Sequence, residues 1–204
     1  MQNGLNLKQQ DVVTFDRDGF DEACAALMQL VVQDGWPDAL VGIRTGGIYV
    51  AESMAKSVGF SLPVMSLTCR RPSTAAKTKF SAVKKIVSSL PRPVVDKLRV
   101  IEHAMLTKKP QRSRPEGYSF DHTELAILED WLRETGPNPS IVVVDDAVDS
   151  GTTLSLVLDT VSQRAPGGQV RSAVITVTTA KPWATPRYTL YRRQLCRFPW
   201  SLDA

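Results

Sequence analysis

Three carboxylates and a run of small hydroxyl residues stand close together between residues 145 and 153. Asp145 and Asp146 are followed, two residues later, by Asp149-Ser150-Gly151-Thr152-Thr153. That last run offers consecutive backbone N–H groups and hydroxyls without a bulky side chain, which suits a loop that binds phosphate. The acid pair would repel phosphate, but it can accept hydrogen bonds from sugar hydroxyls or hold Mg²⁺. Phosphate at one end and a vicinal diol at the other describe a ribose 5-phosphate.

Two predicted elements position these residues. Ile141–Val144 is a short, fully apolar run, which is typical of a central strand covered on both faces. Apolar residues between Leu154 and Val161 recur at helical spacing, so we predict a helix over Thr152–Arg164. The chemistry therefore lies where a parallel strand ends and a helix begins, the edge of an α/β sheet at which ligands bind.

A second strand-turn-helix unit carries a glycine pair. Ala39–Ile43 reads as another buried strand, and Arg44-Thr45-Gly46-Gly47 leads from it into a helix from Ile48 to about Val58. The glycines let the backbone approach a ligand closely at the start of that helix. The loop is neither a Walker loop nor a GxGxxG fingerprint, because the required residues do not follow.

The stretch Ile141–Thr153 resembles the signature of type I phosphoribosyltransferases, which bind phosphoribosyl pyrophosphate (PRPP). The resemblance covers about residues 14–67 and 139–200 and is nearest to the xanthine and hypoxanthine purine enzymes. It implies an α/β fold with a central parallel sheet flanked by helices, a helical insertion and a small C-terminal hood-like segment. It also implies transfer of 5-phosphoribosyl from PRPP to a nitrogenous base, purine favoured, with release of pyrophosphate and a requirement for Mg²⁺.

The resemblance assigns roles within the two loops. The residues implied to bind PRPP are Asp145, Asp146, Ala147, Val148, Ser150, Gly151, Thr152 and Thr153. Asp145 and Asp146 would also be the metal ligands, and Asp149 would be the catalytic base for a purine ring N–H. The residues implied to bind pyrophosphate are Arg44, Thr45, Gly46 and Gly47, and we predict a strained or cis peptide among them.

Two further segments take their interpretation from the same family. Arg70 and Arg71 fall where its members carry a mobile loop that closes over PRPP. Lys181-Pro182-Trp183 resembles the base-binding arrangement in which a lysine donates to the purine 6-oxygen, so Lys181 and Trp183 are the predicted base-binding residues. Leu195 stands near the position of the usual stacking aromatic. The aromatics that could replace it, or instead close the core, are Trp183, Tyr188, Tyr191 and Phe198.

Composition is that of an ordinary soluble globular chain. With 204 residues, 43% hydrophobic and 23% charged, we expect a single domain over residues 1–204. No apolar run approaches about 20 residues, and the N-terminus lacks a signal peptide's apolar core. The three cysteines are widely spaced and lack zinc-site patterns, so we expect reduced thiols and a cytoplasmic protein.

Positive charge is concentrated in one segment. Residues 69–116 contain thirteen Lys and Arg against three Asp and Glu, although the whole chain carries only +4. We predict a helical insertion over residues 76–136, which could act as a lid, as an arm of a homodimer or as a nucleic-acid surface. The second hypothesis is therefore a PRPP-binding regulatory protein that uses this basic insertion to bind nucleic acid. We expect a homodimer in either case.

Asp16-Arg17-Asp18-Gly19 resembles the nucleophile motif of haloacid dehalogenases, which would make the protein a phosphatase. Phe20 stands where that motif requires a hydroxyl. We therefore predict a helix start capped by Asp16 or Asp18, with the helix ending near Gln33.

Overall fold

The computed structural model describes residues 12–70 and 117–201. The strands are β1 (Val13–Thr14), β2 (Ala39–Ile43), β3 (Val64–Leu67), β4 (Cys69–Arg70), β5 (Ser119–Phe120), β6 (Ser140–Val148), β7 (Gln169–Val177), β8 (Tyr188–Arg192) and β9 (Cys196–Arg197). The helices are α1 (Arg17–Val32), α2 (Gly46–Lys56), α3 (His122–Thr135) and α4 (Thr152–Arg164).

A five-stranded parallel sheet is the centre of the fold. Its strand order is β3-β2-β6-β7-β8, so β6 lies in the middle with β2 and β7 as neighbours. Every residue of β2 is buried, as its uninterrupted apolar sequence predicts for a strand covered on both faces. Because all five strands run in the same direction, their carboxyl ends meet at one edge, which we call the ligand edge.

Helices cover both faces of this sheet, and alternate residues of each strand serve the two layers. Val142 and Val144 of β6 pack into the core on the side of α1 and α2. Ile141 and Val143 pack on the opposite side, with buried residues of α3 and α4. This alternation follows from the two-residue repeat of a strand. The predicted α/β fold with a central parallel sheet flanked by helices is confirmed.

The predicted boundaries hold at some elements and shift at others. The helix predicted over Thr152–Arg164 has those bounds, and the strand predicted over Ala39–Ile43 also agrees. Strand β6, however, continues past Val144 through the acid pair to Val148, because β7 goes on pairing with it there. The carboxylates of Asp145 and Asp146 therefore project from a strand and not from a loop.

The four described helices begin in two different ways. Asp16 caps α1 by accepting from the Gly19 N–H at 2.8 Å, which confirms the predicted helix start. Asp121 caps α3 in the same manner. At α2 and α4, no side chain caps the N-terminus, where Thr45 and Gly151 occupy the cap positions. Both of these helices follow directly from the ligand edge.

The remaining strands form two short ladders: β1 pairs in parallel with β9, and β4 lies beside β5. The chain divides into two compact units, residues 1–69 with 120–204, and residues 70–119. The sheet and the four helices belong to the first unit. Most of the insertion predicted over residues 76–136 lies outside the described residues, as does Arg71.

Candidate active site

The glycine pair at the start of α2 packs directly on the acid pair of β6. A Cβ added to Gly46 would lie 1.9 Å from Oδ2 of Asp146, and one added to Gly47 would lie 2.4 Å from the carbonyl oxygen of Val144. A side chain at Gly46 would have to displace the Asp146 carboxylate, and one at Gly47 would have to displace the backbone of β6. The two glycines therefore allow two loops, about a hundred residues apart in the chain, to meet at the ligand edge.

The acid pair is partly buried, and its geometry disfavours two negative charges. The backbone N–H of Asp146 donates to Oδ1 of Asp145 at 3.0 Å, and that of Ala147 donates to Oδ1 of Asp146 at 2.9 Å. Burial and the adjacent Asp146 carboxylate raise the pKa of Asp145 well above its usual value. Burial also raises the pKa of Asp146. A cation or a pair of hydroxyl donors beside these carboxylates would favour their ionised forms.

The loop before α4 is tightly packed around a glycine in a left-handed conformation. Gly151 adopts a φ of 78°, a left-handed conformation that glycine tolerates best. A Cβ at Gly151 would lie 2.6 Å from the backbone nitrogen of Ala184, so the chain after β7 closes over this loop. Thr152 is only 2% exposed, and the Ser150 hydroxyl donates to its Oγ1 at 3.2 Å.

Asp149 is held by a residue that the sequence analysis did not single out. The hydroxyl of Thr178 donates to Oδ1 of Asp149 at 2.5 Å, and the Thr178 backbone N–H donates to the Val148 carbonyl at 3.0 Å. Thr178 follows β7 directly at the ligand edge and is 7% exposed. A hydroxyl residue just after a buried strand was the available signal, but only the register of β7 against β6 shows which carboxylate it reaches.

Arg44 is engaged on the side of β3. Its Nε lies 3.1 Å from Oε1 of Glu124, and its Nη2 donates to the Ser66 hydroxyl at 3.1 Å. The Arg44–Thr45 peptide is cis, in agreement with the prediction for this loop. Glu124 was not predicted as a site residue, because nothing in the pattern of its helix distinguishes it from the other acidic residues there.

The predicted base-binding residues lie after β7. The backbone N–H of Trp183 donates to the Ser150 carbonyl at 2.6 Å, and Trp183 is 47% exposed beside the small-residue loop before α4. Lys181 is also exposed. Phe198 stacks between Phe15 and Trp200 in the core, and Tyr188 is buried as well. Tyr191 is half-buried and its ring contacts Phe15, so Trp183 is the most exposed of the aromatics considered for stacking on a base.

Comparison with known proteins identifies the class to which this fold and site belong. The family model of the phosphoribosyl transferase domain matches residues 16–202, so the chain belongs to the phosphoribosyltransferase family. No curated protein sequence matches it.

Among solved structures, the chain is similar to a purine phosphoribosyltransferase from Pyrococcus horikoshii, with 17% identity, a TM-score of 0.57 and 92% of each chain covered. It is also similar to the xanthine-guanine-hypoxanthine phosphoribosyltransferase of Helicobacter pylori, with 16% identity, a TM-score of 0.57 and 95% of each chain covered. A hypothetical protein from Neisseria gonorrhoeae with bound ppGpp gives 16% identity and a TM-score of 0.57, over 96% of this chain and 92% of that one. At these identities, the likeness concerns the fold.

The structure also bears on membrane-spanning helices and on the cysteines. None of the helices in residues 12–70 and 117–201 has the length and apolar character that crossing a membrane requires. Cys24, Cys69 and Cys196 form no disulfide in the structure, and burial raises the pKa of the Cys24 thiol to about 12.

Proposed function

We propose that the protein transfers 5-phosphoribosyl from PRPP to a nitrogenous base, with a purine favoured, and releases pyrophosphate. The observation that carries this proposal is the packing of Gly46 and Gly47 against Asp145 and Asp146. This packing joins a loop suited to one anion, a carboxylate pair suited to a diol, and a second anion loop before α4. PRPP carries these three groups in that order.

The two uncapped helices suit the two phosphate-bearing ends of PRPP. Backbone N–H groups in the first turn of a helix need an acceptor, and the helix dipole favours an anion there. We assign the 5-phosphate to the start of α4, with Ser150–Thr153, and the pyrophosphate to the start of α2, with Arg44–Gly47. The Asp-capped helices α1 and α3 receive no such role, because their own side chains already occupy the equivalent position.

The acid pair fits Mg²⁺ together with substrate oxygens. The described residues include no cluster of three or more His, Cys, Asp or Glu that could hold a metal ion. Mg²⁺ is commonly bound by one or two carboxylates and completes its shell with water and substrate phosphates. Asp145 and Asp146 would hold it here, where it would neutralise charge on the departing pyrophosphate.

The chain's own residues would act mainly by position and charge. The loops hold the two ends of PRPP so that the bond to pyrophosphate lies at the ligand edge, where the leaving group is stabilised. Asp149 would take the ring proton of the base as the new C–N bond forms, a role worth about 10²–10⁴-fold in comparable proton transfers. Thr178 fixes one oxygen of that carboxylate. Trp183 and Lys181 are the proposed contacts to the base.

The test is pyrophosphate release from PRPP and Mg²⁺ across a panel of purine and pyrimidine bases. Release with one base, and loss of about 10²–10⁴-fold in Asp149→Asn, is the expected result. Full turnover in Asp149→Asn would contradict the assignment of Asp149 as the catalytic base. If no base in the panel caused pyrophosphate release, this would contradict the transfer reaction, even if PRPP still bound.

The second candidate is the regulatory protein, which the charge of residues 69–116 favours. That segment lies mostly outside the described residues, and the described part of the chain adds nothing to this candidate. Nucleic-acid binding that weakens steeply with salt would support it. The insertion over residues 76–136, the homodimer and the cytoplasmic location stay predictions.

A further inference from the structure

Glu124, in the first turn of α3, contacts the loop that we assign to pyrophosphate. Its Oε1 lies 3.1 Å from Nε of Arg44, the first residue of that loop. Arg44 stands two residues before Gly46, which itself touches Asp146. A carboxylate on α3 is therefore joined, through one guanidinium, to the centre of the candidate active site.

Glu124 is fixed independently of Arg44. It accepts from the Ser66 hydroxyl at 2.8 Å and from the Thr68 backbone N–H at 2.5 Å, so both of its oxygens are tied to the end of β3. Its side chain is 15% exposed, whereas that of Arg44 is 52% exposed. The carboxylate is thus the anchored partner, and Arg44 is the partner whose position it determines.

We infer that Glu124 limits the affinity of the Arg44–Gly47 loop for pyrophosphate by holding Arg44 in an ion pair. A pyrophosphate that binds here would interact with a guanidinium whose charge Glu124 already neutralises. The negative charge of the Glu124 carboxylate would also repel it. Weaker binding of this group favours its release as product. This inference rests on the proposed function, because it takes the loop to be the pyrophosphate site.

Glu124→Gln tests the inference with little change in shape. A glutamine has a single acceptor oxygen, so it cannot serve both the Thr68 N–H and the Arg44 side as the carboxylate does. Arg44 then keeps an unneutralised positive charge beside the loop. We expect binding of magnesium pyrophosphate, measured by calorimetry, to tighten by about two- to fivefold, the range of one partly exposed ion pair. The KM for PRPP should fall with it, and both effects should shrink at high salt.

Glu129→Gln is the matched control on the same helix. Glu129 pairs instead with Arg164 of α4 at 2.9 Å, so the same chemical change should leave pyrophosphate affinity as in the wild type. Ser66→Ala provides a second route if Glu124→Gln unfolds. It removes the hydroxyl shared by Arg44 and Glu124 but keeps both charges, so we expect a smaller tightening in the same direction.

The outcomes separate this inference from the proposed function. Wild-type protein that does not bind magnesium pyrophosphate at all would contradict the proposed function. Wild-type binding that is unchanged or weakened in folded Glu124→Gln would overturn the inference alone. Equal tightening in Glu129→Gln would also overturn it, because the effect would then be one of general surface charge.

Discussion

Asp145 and Asp146 carry a cost that a ligand is expected to relieve. Burial and the neighbouring carboxylate raise the pKa of Asp145 in the folded protein, so its ionised form destabilises the fold at neutral pH. Such an arrangement persists where function requires it, at the expense of stability. Removal of a charge from the acid pair is therefore expected to raise the stability of the ligand-free protein and to weaken the binding of PRPP.

Asp145→Asn should stabilise the ligand-free protein and abolish PRPP binding. The destabilisation begins as the pH rises above the ordinary pKa of 3.8, grows until the pH passes the raised pKa of folded Asp145, and vanishes below 3.8, where the folded and unfolded states are both protonated. We expect a melting temperature higher by about 2–4 °C at neutral pH, which is about 1 kcal/mol for a chain of this size, and no gain near pH 3. Thermal unfolding at the two pH values, without Mg²⁺, measures this. An equal gain at both values would show that the charge is not the cause.

We expect Thr178 to affect catalysis through its hydrogen bond to Asp149. In Thr178→Val, the carboxylate loses its hydroxyl donor, so we expect kcat to fall about tenfold while the KM for PRPP stays the same. Thr178→Ser, which keeps the hydroxyl, should restore most of the rate. In an Asp149→Asn background, Thr178→Val should cause little further loss. A rise in KM without a fall in kcat would indicate a role in binding PRPP instead.

The strands and helices contribute by bringing loop ends together without side chains between them. Helix α2 can start against β6 only because Gly46 and Gly47 have no Cβ. The same helix lacks a side-chain cap, so its first N–H groups point toward the edge at which the substrate is expected. The glycine pair thus has a packing role and, in the proposed function, a binding role as well.

Gly46→Ala should damage both roles. The added Cβ would overlap the Asp146 carboxylate, and overpacking of this kind costs about 1–3 kcal/mol. We expect a lower urea midpoint and at least a tenfold loss in PRPP affinity. Gly59→Ala is the matched control, since a Cβ there meets nothing within 4 Å and both quantities should stay near wild type. Unimpaired PRPP binding in Gly46→Ala would show that the loop does not need this close approach.

Across the whole molecule, the edge of the sheet opposite the ligand edge is held by a buried arginine. Arg171, near the start of β7, is 4% exposed and donates to the carbonyls of Val31 in the last turn of α1 and of Asp34 and Gly35 just after it. It also donates to the hydroxyls of Ser140 and Tyr188. One side chain therefore links the end of α1 to three neighbouring strands.

Arg171→Met should lower stability without changing the chemistry. The three carbonyls would lose a buried donor, so we expect a loss of about 2–4 kcal/mol in the free energy of unfolding from urea titration. The kcat should be retained at temperatures where the variant is folded. Arg133→Met removes an arginine from an exposed pair with Asp130 and should cost about 0–1 kcal/mol. Equal losses in the two variants would contradict the linking role of Arg171.

Much of the fold and half of the site follow from local pattern. A run such as Ile141–Val144 is apolar because it is covered on both faces, and the repeat after Gly151 has the period of a helix, so both elements are readable. The end of β6 was misplaced because continued pairing with β7, which lies outside any local window, carries the strand through Asp145 and Asp146. The acid pair and the small-residue loop were recognisable, since their types and spacing match one ligand.

The chain's residue order was enough to indicate the sheet, the two loops proposed to bind anions, and the family, because those depend on neighbours within about a dozen positions. The contacts that tune the candidate site depend on packing instead. Thr178 reaches Asp149 across 29 residues, and Ser66 reaches Glu124 across 58. Strand order and register bring such pairs together, and no periodicity in the sequence records which hydroxyl or carboxylate will face which. That is why Thr178 and Glu124 became visible only in the folded molecule.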